Sequence, residues 1–275
     1  IMYVPAERNF ISYVKNTREL KIASESLQEF LREFEKAKEE IKGSIKLPIN
    51  NVDLEYDKLN DVLNIKGTVN HDDYKVKLIE ASSGFQSTVP LYLVSWFLAN
   101  NVKRQSLNPS EPMSEDELER FKTRVADILS NDNLSYEQQR AAISVLAQKF
   151  NKMAFINIVE EPEQNLFPTS QKSILESLLE FNNMNEGNKL IMTTHSPYLL
   201  VYLTLAIEAD KLKQRCNTDE LKSKLNEIVP IASTIDGHEL VIYQLDENTG
   251  TIEKLGNYKG LPSDENKLND GLIEA

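Results

Sequence analysis

The stretch INIVEEPEQNLFP, residues 156–168, decides the fold: an apolar run that reads as a buried β-strand ends in Glu160, Glu161 and Glu163, with one proline breaking the row. Working outward, the strand covers MAFINIV (153–159), and a helix is expected from about Thr169 to Phe181 with Ile174, Leu175, Leu178 and Leu179 on one face. KLIMTTH (189–195) reads as a second buried strand, and SPYLLVYLTLAI (196–207) as a helix with Ser196 as N-cap and Pro197 at the first helical position. Strand, helix, strand, helix in this spacing predicts an α/β fold, a parallel sheet with flanking helices. Ligands of such sheets gather beyond the carboxyl ends of the strands, where loops are free and helix N-termini point. The glutamates stand at one such end and His195 at the next, so neighbouring strands would bring acid and imidazole to one site.

The rest of the chain adds a helical lobe and short β-hairpins. IMYV opens as a strand that Pro5 ends, with Glu7 and Arg8 in the loop after it; because the sequence begins inside that strand, a preceding segment is expected. From 18 to 42, Leu27, Phe30, Leu31, Phe34, Ala37 and Ile41 form one apolar stripe on a long helix. Residues 52–79 carry strand signals, VLNIKGTV and YKVKLI around the turn-rich NHDD, and predict a hairpin. VPLYLVSWFLA (89–99) reads as a helix buried on most faces, with Pro90 in its first turn. SEDE (114–117) and SYEQ (135–138) are capping boxes that start two more helices, and HELVIYQL and TIEKL close the chain as a hairpin around DENTG. The expected division is a helical lobe with a hairpin at 1–150 and an α/β part at 151–275.

Composition narrows the function. Of 275 residues, 40% are hydrophobic and 27% charged, a soluble globular balance. A formal net charge of −12 argues against coating nucleic acid through phosphate contacts. The single cysteine, Cys216, cannot form an internal disulfide and fits a reducing, cytoplasmic setting. The most apolar run is too short to span a bilayer, so no membrane partner is expected.

The third element is ASSGFQS (81–87), just ahead of the buried helix. Small residues permit close backbone approach, and serine hydroxyls with free helix amides can hold a phosphate. Taken alone it reads equally as a turn with Ser87 or Thr88 as N-cap. Alone, too, the acids read as a solvated loop and His195 as a structural histidine.

Together, YVPAER, ASSGFQS, EEPEQNLFP and TTHSP resemble the ABC-type ATPase head, in particular chromosome-maintenance-like and bacterial defence-associated AAA ATPases. The order of signature, Walker B and switch histidine is theirs. The resemblance implies ATP and Mg2+ as ligands, with Glu160 at the magnesium-holding Walker B position and Glu161 as the catalytic glutamate that polarises water. It implies His195 as the reader of the γ-phosphate, and Ser82, Ser83, Gly84 and Gln86 in the signature that closes over ATP on the opposite subunit. Glu163 and Asn165 fall in the D-loop, near a dimer interface. The implied partners are a second copy in an ATP-sandwiched homodimer, an N-terminal Walker A lobe of the same polypeptide, and an effector protein or DNA.

The sequence also departs from that pattern. It contains no GxxxxGK[ST], so nothing in it cradles the β- and γ-phosphates, and this chain alone is expected to be inactive. Glu160 replaces the usual aspartate, Ala81 the usual leucine, and Phe85 a glycine or polar residue. Two other readings stand beside the ATPase: a non-catalytic interaction module that retains the fold, and a metal-dependent nuclease using Glu160, Glu161 and Glu163 as ligands.

Overall fold

The computed structural model describes residues 1–13, 24–107, 115–131, 134–150 and 154–269. Strand β1 (Met2–Val4) stops at Pro5, which has no N–H to extend a ladder, and a 3-10 helix (Ala6–Tyr13) follows. Helix α1 (Glu25–Glu39) is capped by the Ser24 side chain, which accepts from the Leu27 N–H, and buries the expected stripe of Phe30, Leu31, Phe34 and Ala37. The start of the predicted 18–42 helix, up to residue 23, lies outside the described residues.

Strands β2 (Ser44–Lys46), β3 (Asp53–Asp57), β4 (Val62–Val69) and β5 (Asp72–Lys77) form one antiparallel sheet in sequence order. The predicted hairpin is β4–β5. Its connection, Asn70 and His71, has φ of 52° and 73°, the paired positive values that match a two-residue turn to the strand twist. The sequence reading missed β2 and β3 as separate strands because they are short and charged.

Helix α2 (Ser83–Leu107) begins six residues earlier than the run at 89–99 predicted. Ser87 and Thr88 are therefore buried inside it and are not N-caps, and Pro90 sits in its second turn. The proline has no N–H for the Gln86 carbonyl; the Ser12 hydroxyl donates to that oxygen instead, at 3.4 Å. Helices α3 (Glu115–Leu129) and α4 (Tyr136–Phe150) pack on each other. Ser135 and Gln138 form the predicted capping box, each backbone N–H donating to the other's side chain; Ser114 lies outside the described residues.

Then come β6 (Ile156–Glu160), α5 (Pro168–Asn183), β7 (Lys189–Thr193) and α6 (Pro197–Lys213). The parallel sheet has the order β1-β6-β7, so β6 is central and its neighbours come from far apart in the chain. One face, with Met2, Val4, Asn157 and Val159, is buried in the core beside α1, α2 and α5. The other face aligns Tyr3, Ile158 and Ile191 in register, and Ile191 is 50% exposed. Strand β7 is thus a half-open edge and not the fully buried strand expected. Helix α5 is apolar on two sides: Ile174, Leu178 and Phe181 join the central core, while Leu175 and Leu179 meet Leu199, Leu200 and Leu203 of α6.

Helix α7 (Asp219–Ile228), the predicted hairpin β8 (Tyr243–Leu245) and β9 (Ile252–Lys254), and the small pair β10 (Asn257–Tyr258) and β11 (Leu261–Pro262) complete the fold. The molecule is an α/β protein with a helix-flanked parallel sheet and separate antiparallel hairpin sheets, as the sequence predicts. Among the described residues, no helix is long and apolar enough to cross a membrane.

Candidate active site

The site grows from the carboxyl end of β6. Glu161 continues the ladder by donating its N–H to the Thr193 carbonyl at 3.0 Å, then turns out of the strand with φ of 41°. A left-handed backbone is uncommon for glutamate and persists only where its surroundings fix it. Arg8 supplies that fixation. Its Nη1 donates to Glu160 O at 2.7 Å and to Pro5 O at 3.1 Å, its Nη2 to Glu161 O at 2.8 Å, and its Nε to Ser87 O at 2.9 Å. Burial pulls the Arg8 pKa down to about 10, against the opposing fields of Glu163, Glu161 and Glu160.

The three glutamates take different partners. Glu160 Oε2 accepts from the Ala6 N–H at 3.1 Å, at the start of the 3-10 helix. Burial first, and then the hydrogen bond to Glu160, push the Tyr3 phenol up to about 12. Glu161 Oε1 lies 3.8 Å from His195 Nε2, and that imidazole is 85% exposed. Glu163 turns to the loop after β7, where its Oε1 accepts from Thr194 Oγ1 and the His195 N–H, both at 2.8 Å. Its other oxygen, Oε2, is buried with no hydrogen-bond partner.

A chain of hydrogen bonds ties the two loops together. The Ser196 N–H donates to Thr194 Oγ1 at 2.9 Å, Ser196 Oγ to Gln171 Oε1 at 2.6 Å, and Gln171 Nε2 to Leu166 O at 3.0 Å. Ser196 occupies the N-cap position of α6 as predicted, but its hydroxyl serves Gln171 and does not cap the helix.

The start of α2 packs against the same loop. Asn165, itself at φ 59°, donates through Nδ2 to Ser87 Oγ at 3.0 Å, and Ser87 Oγ reaches Gln164 Oε1 at 3.4 Å. A Cβ on Gly84 would stand 2.9 Å from the Asn165 carbonyl, so only glycine permits this approach. Ser82 and Ser83 are exposed at the tip of the helix. Gln86 points inward and is buried: its Oε1 accepts from Tyr13 OH at 2.6 Å and its Nε2 donates to Ile79 O at 3.0 Å.

The fold therefore brings Glu160, Glu161, Glu163, Asn165 and His195 to one sheet edge, with Gly84 packed beside them and Gln86 turned into the core. Sequence reading missed Arg8, Ser87, Gln171 and Thr194, which hold the edge in place. The available signals were an arginine three residues beyond a strand-ending proline, and a glutamine on the buried side of α5. The nuclease reading needs the three glutamates as joint ligands; they diverge, and among the described residues no three His, Cys, Asp or Glu side chains gather to hold a metal.

A parallel sheet with acid and imidazole at adjacent strand ends, below the N-terminus of a long helix, is the architecture of an α/β P-loop NTPase. The chain belongs to the AAA ATPase domain family, which its residues 7–200 match. That family places it among nucleotide-binding ATPases that use ATP, as a rule with Mg2+. No curated protein matches the chain.

Proposed function

We propose that this chain is the Walker B, signature and switch-histidine part of an ABC-type ATPase head that hydrolyses ATP as a dimer and so switches an attached or associated effector. The observation that carries the reading is the Glu161–His195 pair, 3.8 Å apart at the ends of β6 and β7, on a loop whose backbone is fixed from both sides. Phosphoryl transfer needs positioning and charge stabilisation more than covalent chemistry, and a fixed carboxylate beside an exposed imidazole meets that need.

Glu161 is the group that orients the attacking water and draws on its proton. His195, open to solvent, would donate a hydrogen bond to an incoming γ-phosphate oxygen. Glu163 holds the His195 backbone at its N–H, which sets where the imidazole starts. Glu160 and Glu163 offer carboxylate oxygens, and the buried Glu163 Oε2 lacks a hydrogen-bond partner, which suits a hard divalent cation. Glu160 would hold Mg2+, through water, and the metal when bound would neutralise charge on the phosphate oxygens. Ser82, Ser83 and Gly84, at the tip of α2, would meet a phosphate brought by a second copy, a role that the exposure of both serines supports.

The phosphate-cradling loop comes, in this reading, from an N-terminal lobe of the same polypeptide. Parallel sheets are normally covered on both faces, and the Tyr3–Ile158–Ile191 face offers that lobe an apolar seat. The test is Glu161→Gln in the full-length protein: ATP turnover should fall by about 100-fold or more with ATP binding retained. Unchanged turnover would remove Glu161 from the hydrolytic step, and unchanged cellular function of the variant would leave a non-catalytic interaction module as the account of the fold.

A further inference from the structure

Arg8 is 0% exposed, yet all four of its hydrogen bonds go to main-chain oxygens and none to a carboxylate. Burying a guanidinium is unfavourable, and well-packed apolar side chains commonly replace buried charges without loss of stability. What an apolar side chain cannot do is clamp three separate backbone segments with one rigid plane of donors. Those segments are the end of β1, the Glu160–Glu161 turn and the second turn of α2.

The Ser87 carbonyl reached by Arg8 lies just ahead of Pro90, where the helix ladder is already opened toward the 3-10 helix. Ser87 Oγ and Gly84 touch the same loop independently, through Asn165. We propose that Arg8 is a positioning residue for the hydrolytic step, making the start of α2 and the Glu160–Glu161 turn one mechanical unit. A displacement of α2 when its tip meets a phosphate is then passed to the Glu161 carboxylate. This role rests on the reading of Glu161 given above.

The decisive variant is Arg8→Lys in the full-length protein, which keeps the charge and loses the planar fork. We expect kcat for ATP to fall about tenfold or more with KM within roughly threefold, the pattern of a contact that matters in the transition state. Amide hydrogen exchange at Glu161, Gln164 and Leu166 should accelerate together with that of Gln86, while β3 and β4 stay protected. Wild-type kcat and unchanged exchange would overturn the proposal.

A second measurement needs no substitution. In wild-type protein under rising denaturant, exchange of residues 161–166 and 83–88 should converge on one common opening, whereas separate openings would overturn the coupling. Glu161→Gln, run in parallel, separates the two claims. Normal turnover there removes the site reading and this role with it; an inactive Glu161→Gln beside a fully active Arg8→Lys removes the role of Arg8 alone.

Discussion

In the antiparallel sheet every strand pairs with its neighbour in sequence, its inner face is Leu54, Leu63 and Ile65, and its wet face is crossed by exposed pairs from Glu55 to Lys66 and Lys75. In the parallel sheet Met2 lies opposite Asn157, the loop after β6 turns through left-handed backbone at Glu161 and Asn165, and buried polar side chains do the fastening. The first sheet is stabilised by apolar burial and short turns, and its inner face shares one core with Val4 and Val159 of the parallel sheet. The second depends on a few directional contacts to backbone oxygens, and an error in any of them moves the Glu161–His195 edge. Apolar burial thus dominates the first region, and directional hydrogen bonds fix the geometry of the second.

Three substitutions would sharpen or break that contrast, beyond those at Glu161 and Arg8. Leu54, fully buried, should give the largest effect: Leu54→Ala is expected to lower unfolding free energy by about 2–5 kcal/mol in denaturant titration, with ATP turnover per folded molecule unchanged. A loss of turnover in the folded fraction would show that the two sheets are mechanically coupled. Gly84→Ala should cost less stability, about 1–3 kcal/mol, because the new methyl meets a backbone oxygen that must move. Its turnover, unlike that of Leu54→Ala, should drop, since Asn165 and the loop behind Glu161 are what yields.

The smallest effect is expected from Glu55→Gln. Hydrogen bonds from Lys66 and then Lys75 hold the Glu55 carboxyl below its ordinary value of 4.5. A depressed carboxyl contributes stability above its unfolded pKa and loses it as pH falls through the folded value. The difference in Tm between wild type and Glu55→Gln should therefore be small at pH 7, shrink with added salt, and vanish on acidification below pH 4.5. A large, salt-insensitive difference would mean that the wet face of this sheet is stabilising after all.

Much of this was legible in the chain. The apolar runs MAFINIV and KLIMTTH, the helical spacing of 169–181, and Pro197 at the head of the helix after KLIMTTH predict the βαβα unit, and with it Glu160, Glu161 and His195 at one edge. The start of α2 was not legible, because its first residues, SGFQS, are mostly small and polar, and Phe85 alone sets no apolar period to mark them as helix. Strand β3, DLEYD, was hidden by charges that face water on both sides of a single buried Leu54. Gln86 looked like a signature side chain free to meet ligand; only the packing of Tyr13 and the turn at Leu78–Ile79 shows where it points.

What the sequence determined by itself was periodicity and punctuation: which runs are strands, which are helices, and which polar residues end them. Local sterics and apolar spacing suffice for that. The tertiary structure alone decided which oxygens Arg8 would reach, which glutamate would face His195, and why residue 84 has no side chain. Those outcomes depend on distances between segments far apart in the chain, and no local pattern encodes them. Burial makes them binding, because a donor or acceptor removed from water must find its partner within the protein.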